Sequence, residues 1–332
     1  MQQAAIVILN FNGEKMLRQF LPGVCTFSAF PIVVIDNGSS DGSIAYLYAQ
    51  HPNVTLIKLD QNTGFTGGYN KGLASLEGKF KYYILLNSDV AVGPNWDIPM
   101  IQLLESNPKI ASVQPKILSF QDPSYFDYAG AGGGFIDRFG YPYCRGRIFQ
   151  EIEKDAGQYD DSVSVDWTSG ACMAIRADAF HGHGGFDERF FAHMEEIDIC
   201  WRWRRAGYIC MYLGAVSVLH VGGATLSRTS PRKTFLNFRN NLWLLGKNLS
   251  LAGFIPIYIC RLALDALAAL VFLFTGTIAD ASAVLKAHAA FLFSKKTMQD
   301  ANLPKDQPIS IEGRRSILFD YYVRRRKVYS QS

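Results

Sequence analysis

Five short polar clusters in this 332-residue chain carry side chains suited to chemistry on a phosphorylated ligand. Asn10-Phe11-Asn12-Gly13, Asp36-Asn37-Gly38-Ser39-Ser40-Asp41 and Asn87-Ser88-Asp89 each follow an apolar run, Glu195-Glu196 opens an amphipathic segment, and His220 closes a further apolar run. Glycine turns suit phosphates, acids suit a ribose or a base, and Asp89 and His220 are two potential metal ligands. Gathered at one sheet edge, they would make a crevice for a nucleotide. Singly each has an ordinary reading: Asp89 as a turn cap, Glu195 and Glu196 as acids matched to a helix dipole. Asn62-Thr63-Gly64-Phe65-Thr66-Gly67-Gly68 lacks both the P-loop lysine and the GxGxxG spacing, so neither an NTPase nor a dinucleotide fold is supported.

The elements that must position these clusters alternate. Residues 81–89, KYYILLNSD, form an apolar run too short for a helix and read as a buried strand with a polar end. Similar strands are expected at 4–9, 31–36 and 54–59, with helices at 14–21, 43–49 and 69–76 and a glycine-rich turn at 61–68. This spacing predicts an α/β fold, a mostly parallel, doubly wound sheet with right-handed crossovers. A helix at 98–105 and a strand at 110–114 continue it. Residues 125–143, rich in glycine and aromatics, read as a long surface loop, a substrate-facing flap. Alternation returns at 163–175, a helix at 195–206 stops at Gly207, and a last strand runs over 211–220.

With 48% hydrophobic and 13% aromatic residues the chain folds. Its net charge of +4 conceals an asymmetry: residues 1–225 hold 17 Lys+Arg against 23 Asp+Glu, and 226–332 hold 16 against 6. We therefore expect two units, a domain over 1–225 and a helical, basic, apolar extension over 226–332. Phe235, Phe238, Leu242, Leu245 and Leu249 recur at helical spacing. From 252 to 274 apolar residues dominate, but Arg261 and Asp265 interrupt them, and the uncharged run 266–275 is too short to span a bilayer. With 281–293 this reads as two helices lying on an anionic membrane face or covering the domain; the many aliphatics favour a phospholipid face over nucleic acid, and Arg324-Arg325-Arg326-Lys327 favours the membrane face over covering the domain. Six cysteines without a CxxC pair, and an N-terminus with no charged leader, point to the cytoplasm.

The ordered set VILNFNG (7–13), IDNGSSDGS (35–43), NTGFTGGYNKG (62–72), LLNSDV (85–90), SGACMAIR (169–176), GGFDERFF with MEEIDICWR (184–202) and HVGGAT (220–225) resembles the family 2 glycosyltransferases of GT-A fold, in particular the bacterial rhamnosyltransferase-like branch. The resemblance implies an inverting transfer from a nucleotide-diphosphate sugar (dTDP-rhamnose or a UDP- or GDP-sugar) to a hydroxyl of a cell-surface glycan or polyprenyl-linked precursor at the inner face of the bacterial inner membrane. Asn10, Asn12, Asp36, Asn37, Asn62, Gly64, Gly67, Asn70, Asn87 and Ser88 would bind the donor. Asp89, Asn87 and His220 would hold Mg2+ or Mn2+. Glu196, with Glu195 beside it, would be the general base, and Trp167, Phe190, Phe191, Asp198 and Trp201 would lie on the acceptor side. Three positions depart from the pattern: Asn87 stands at the first place of the DxD element, Glu196 where the family usually has Asp, and Tyr69 where some relatives have an arginine near the diphosphate. The alternatives are a carbohydrate-binding or assembly subunit without turnover, which Asn87 favours, and a sugar-nucleotide nucleotidyltransferase, which the absence of a basic glycine loop after the first strand disfavours.

Overall fold

A computed structural model describes residues 1–222, 230–294 and 315–329. The chain runs β1 (Gln2–Asn10), α1 (Glu14–Phe27), β2 (Ile32–Asp36), α2 (Ser43–Gln50), β3 (Thr55–Lys58), α3 (Gly64–Ala74), β4 (Phe80–Asn87), β5 (Val90–Ala91), α4 (Ile98–Ser106) and β6 (Ile110–Ser119). It continues with β7 (Gly134–Ile136), β8 (Pro142–Cys144), β9 (Arg147–Ile148), β10 (Glu151–Ile152), β11 (Ser162–Val165), β12 (Cys172–Arg176), α5 (Ala177–Gly182), α6 (Glu195–Arg205) and β13 (Ile209–His220). Three helices follow: α7 (Pro231–Asn248), α8 (Leu251–Phe274) and α9 (Ile278–Leu292). The boundary expected at 225/226, and the Gly223-Ala224-Thr225 end of the last motif, lie outside the described residues.

The main sheet has nine strands in the order β11-β13-β6-β12-β4-β1-β2-β3, with β5 paired to β13. β1, β2, β3, β4, β6 and β13 run one way, and β12, β11 and β5 run against them, so the sheet is mixed and mostly parallel. Period-two alternation divides the strands between two cores. Val7, Tyr83 and Leu85 face a core shared with Tyr69, Trp201 and Leu244, whereas Ile6, Ile8, Ile84 and Leu86 face one shared with Leu17, Leu47 and Leu104. Helices thus cover both faces, as in a doubly wound fold.

Three expectations need correction. The glycine-rich stretch read as a turn is already helix from Gly64, because its glycines let α3 press onto the sheet: a Cβ on Gly72 would lie 2.1 Å from Ile35 Cδ1, and one on Gly68 2.7 Å from Leu9 Cδ1. The expected surface loop at 125–143 instead enters a small antiparallel sheet, β10-β9-β8-β7, with Phe126, Ala131, Ile136 and Cys144 in the core. Its strands of two or three residues are too short for a periodic signal. On length, the apolar tail is not too short to span: α8 has 24 residues and is long and apolar enough to cross a membrane. Its Arg261 and Asp265 are buried and pair with each other, Arg261 also donating to Asn241 and Asp265 accepting from Tyr141. The helical period carries straight through them.

The close approach of α3 yields a test by paired substitutions. Gly72→Ala should lower the unfolding free energy in urea by about 1–3 kcal/mol, because the neighbouring side chain must shift. Gly23→Ala, within α1 and with nothing within 4 Å of its would-be Cβ, should raise it by about 0.5–1 kcal/mol.

Candidate active site

The register places the polar strand ends together. Asn10 pairs with Asp36 across β1 and β2, and Leu9 with Asn87 across β1 and β4, so Asn10, Asp36 and Asn87-Ser88 share the carboxyl edge. Asn10 Nδ2 donates to Asp36 Oδ1 at 2.9 Å and to Ser39 Oγ at 3.1 Å, and Asp36 Oδ2 accepts from Ser39 N at 3.0 Å. Asn12 Oδ1 accepts from Ser40 N, closing the two loops on each other. Asn37 reaches the other way: its Nδ2 donates to Asn62 Oδ1 and Gly64 O, and its Oδ1 accepts from Thr63 N. Gly64, at φ +77°, sits directly under the Phe191 ring, and Gly67 is packed on Thr63. Asn70 points elsewhere. Its amide donates to Phe186 O and accepts from Phe186 N, so it ties α3 to the segment before α6.

Pairing of β5 with the end of β13 sets His220 beside Asp89. His220 Nε2 lies 3.3 Å from Asp89 Oδ1, and its Nδ1 lies 2.8 Å from Asp127 Oδ1. Burial opposes the imidazolium, but hydrogen bonds to the two carboxylates outweigh it and push His220 up to about 9. Asp127 is correspondingly held low: burial raises it and the His220 contact more than reverses that. Asp127 escaped the sequence reading because it lies in the glycine- and aromatic-rich stretch, with no local pattern around it. A metal-ligating histidine ordinarily donates its other ring N–H to a carboxylate, as His220 does here. Among the described residues no three His, Cys, Asp or Glu side chains converge as a metal cluster. The Asp89–His220 pair therefore fits a divalent ion that takes its remaining ligands from substrate phosphate and water.

α6 opens with Glu195 and Glu196. Glu195 is buried; desolvation first, and then the charge of Glu196, hold its carboxyl well above the ordinary range. Burial likewise pushes Glu196 up to about 7. The preceding residues Phe191, His193 and Met194 all have left-handed backbone (φ 63°, 70° and 75°), an uncommon conformation for residues other than glycine. Asn240 of α7 braces them: its Nδ2 donates to Phe190 O, Ala192 O and His193 O at 3.0, 2.9 and 2.8 Å, and Arg239 fixes its Oδ1.

The expected acceptor-side residues separate. Phe191 is exposed beside the donor loop, but Phe190 and Trp201 are closed in the core and Trp167 is buried with its indole N–H on Phe135 O. Asp198 is wholly buried and accepts from Arg202, Lys247 and Asn248, so it is a structural node with no open face. Several of the candidate residues and their neighbours keep buried polar atoms without a hydrogen-bond partner, among them Asn10 Oδ1, Asp127 Oδ2, Arg147 Nε, Glu195 Oε2 and Glu196 Oε2, although others occur elsewhere in the chain, such as Tyr258 Oη and His288 Nδ1. Such atoms are rare in folded proteins, and ligand contact is one reason to keep them.

A doubly wound sheet whose carboxyl edge sets an Asp–His pair against a pair of raised glutamates defines a glycosyltransferase of GT-A fold. Residues 5–181 match the family described as "Glycosyl transferase family 2", and the chain belongs to that family. It is 27% identical over 234 residues to the N-acetylglucosaminyl-diphospho-decaprenol L-rhamnosyltransferase of Mycobacterium tuberculosis, covering 65% of this chain and 75% of the relative. It is 28% identical over 227 residues to the rhamnosyltransferase WbbL of Escherichia coli, covering 65% and 82%. The mannosyltransferase of Pyrobaculum calidifontis, solved with GDP-Man and Mn2+, shares the fold with a TM-score of 0.54 at 12% identity, covering 89% of this chain and 88% of that one.

If Asn240 maintains the acid-bearing loop, Asn240→Ala should lower kcat about tenfold or more and leave donor affinity within twofold, since the donor loops lie on other elements. Steady-state kinetics beside donor titration check this; an unchanged kcat would sink the bracing role.

Proposed function

We propose that this chain is an inverting glycosyltransferase. It moves a sugar from a nucleotide-diphosphate donor (dTDP-rhamnose or a UDP- or GDP-sugar) to a hydroxyl of a cell-surface glycan or lipid-linked precursor. The observation that carries this reading is the chain of contacts joining the Asp89–His220 pair to the raised Glu195–Glu196 pair: His220 bonds Asp127, whose charge Arg147 feels, and Arg147 bonds Cys144, which feels the charge of Glu196. Names of the relatives support the rhamnosyl and polyprenyl-diphosphate choices.

Glu196 is the general base. Poised near 7, its carboxylate is a strong enough acceptor to take the acceptor hydroxyl's proton while still ionised in an appreciable fraction at neutral pH. As that proton leaves, the acceptor oxygen attacks the anomeric carbon from the face opposite the diphosphate. The new C–O bond forms, the old one breaks, its electron pair departs with the diphosphate, and configuration inverts. Glu195 stands beside this base as a carboxyl that burial and the charge of Glu196 keep protonated to higher pH. Asp89 and His220 would hold Mg2+ or Mn2+, which when bound neutralises charge on the departing diphosphate. The Asn10, Asp36 and Asn37 to Gly64 loops hold the nucleotide.

Membrane contact belongs to the same reading. α8 and α9 expose Leu251, Ile255, Ile259, Leu267, Leu270, Val271, Phe274, Ile278, Leu285 and Phe293. The midpoint of α8 is tied to the domain through Arg261 and Asp265, which favours a helix lying in the interface over one that leaves the domain to span. The domain with α7 then forms the catalytic unit at the cytoplasmic face, and α8 and α9 its membrane contact; residues 315–329 instead pack back on the small sheet, where Ile317 N donates to Asp137, Tyr329 N to Glu153, and Lys327, expected at the membrane, pairs with Glu151.

Glu196→Gln should cut transfer by about 10²–10⁴ with donor binding intact. For the wild type, the base is lost as it protonates, so kcat/KM should fall about tenfold per unit well below pH 7 and level off above it. Transfer by Glu196→Gln at the wild-type rate would remove the base assignment. Independently, full-length protein should cosediment with vesicles of phosphatidylglycerol and phosphatidylethanolamine. Leu267→Glu with Leu270→Glu should weaken that at least fivefold, and absence of wild-type cosedimentation at low salt would refute membrane contact.

A further inference from the structure

Between the two halves of the crevice lies a cation cluster that the mechanism above leaves without a task. The Arg147 guanidinium covers the Tyr128 ring at 4.1 Å, and Lys233 Nζ lies 5.6 Å from the centre of the same ring. Tyr128 directly follows Asp127, the partner of His220. On its other side the cluster meets the acid helix: Cys144, hydrogen-bonded to Arg147, feels the charge of Glu196, and the charge of Lys233 helps burial hold His193 down at about 4. Arg147 is poorly served by the protein. Its Nη1 donates to Phe149 O at a long 3.3 Å, its Nη2 to Cys144 Sγ, and its buried Nε has no hydrogen-bond partner.

The helix carrying Lys233 adds a second reason. Arg232 and Lys233 occupy the first turn of α7, where the helix dipole disfavours cations. Arg232 stands 5.6 Å from the ring of Phe191, at the donor loop. Two cations against a dipole are stabilised together when an anion sits with them. Tyr69 of α3 supplies no charge to the site: it is wholly buried with its hydroxyl on Val7 O and Leu86 O.

We propose that Arg147 and Lys233, set about the face of Tyr128, form a diphosphate-binding subsite. The diphosphate is either the nucleotide leaving group or that of a lipid-linked acceptor, and the proposal rests on the crevice being the site of glycosyl transfer. An arginine fork and a lysine point charge together match the spread charge of a diphosphate.

Calorimetric titration of the full-length protein in Mn2+ tests it, with the tighter binder of UDP and dTDP as one probe and geranyl diphosphate as the other. Arg147→Gln and Lys233→Gln should each weaken one or both probes about tenfold, the size of a lost charged hydrogen bond, and Arg147→Lys should lose less. Weakening of the nucleotide assigns the leaving group; weakening of geranyl diphosphate assigns the acceptor. Lys233→Gln, on the first turn of a long helix, keeps the test open if Arg147→Gln does not fold. Affinity within twofold of wild type for both probes in the folded variants, or no wild-type binding of either, overturns the subsite. Asp89→Ala separates the two readings. If it removes nucleotide binding while the cation variants leave both probes within twofold of wild type, only the subsite fails; if it leaves nucleotide binding unchanged, the active-site reading fails as well.

Discussion

The ammonium of Lys247 joins α7 to the segment that carries Glu195 and Glu196. It lies 2.7 Å from Asp187 and 2.9 Å from Asp198, with Arg202 and Asn248 completing the second carboxylate's bonds. Arg202 also donates to His183 O and Gly185 O, so the network pins both ends of the turn that leads into α6. Buried charges of this kind contribute little net stability, but deleting one partner strands the others, at a cost of about 3–5 kcal/mol. Their effect is geometric. The segment from Asp187 to Arg205 has one arrangement against α7, and the strained residues 191–194 persist because both their flanks are held.

The same network sorts four acids on one short stretch into two kinds. Burial raises Asp187 and Asp198, yet Arg189, Lys247 and Arg202 more than reverse it and both sit below the usual carboxylate range. Glu195 and Glu196 share the burial without such compensation and sit above it. Acids of the first kind fasten the helix; those of the second hold their protons to higher pH than ordinary carboxyls, Glu196 up to about 7. Asp198 was therefore a reasonable sequence candidate for the site and is physically the opposite of one.

What was legible in the sequence followed from periodicity and strand ends. Strands such as 81–89 alternate between two apolar faces, so their places in a doubly wound sheet, and the meeting of Asn10, Asp36 and Asn87 at one edge, could be read from residue types. α3 was misplaced because glycine signals both a turn and a close packing contact, and only the proximity of Ile35 and Leu9 decides between them. Asp127, Arg147 and Asn240 were missed for a different reason: Asp127 and Asn240 act through His220 and His193, 93 and 47 residues away, Arg147 of β9 lies over the ring of Tyr128, and nothing local marks any of them. Trp167 and Trp201 were misjudged because an aromatic ring suits a sugar face and a core equally well.

Asn240 and Asn241 connect these levels. They are consecutive on α7 and so point roughly 100° apart. Asn240 braces the carbonyls before the acid pair, while Asn241 donates to Gly140 O and accepts from Arg261 of α8. Arg261 in turn pairs with Asp265, which also accepts from Tyr141 and meets His288 of α9. A single helix therefore separates the apolar surface of α8 and α9 from the general base. Were α8 only a tether, its charged residues would gain nothing from burial against the domain, and exposed polar partners or none would serve. Their burial fixes the orientation of the apolar face relative to the crevice. On the proposed reading, an acceptor hydroxyl presented at a membrane would meet Glu196 at a height that the same helix sets.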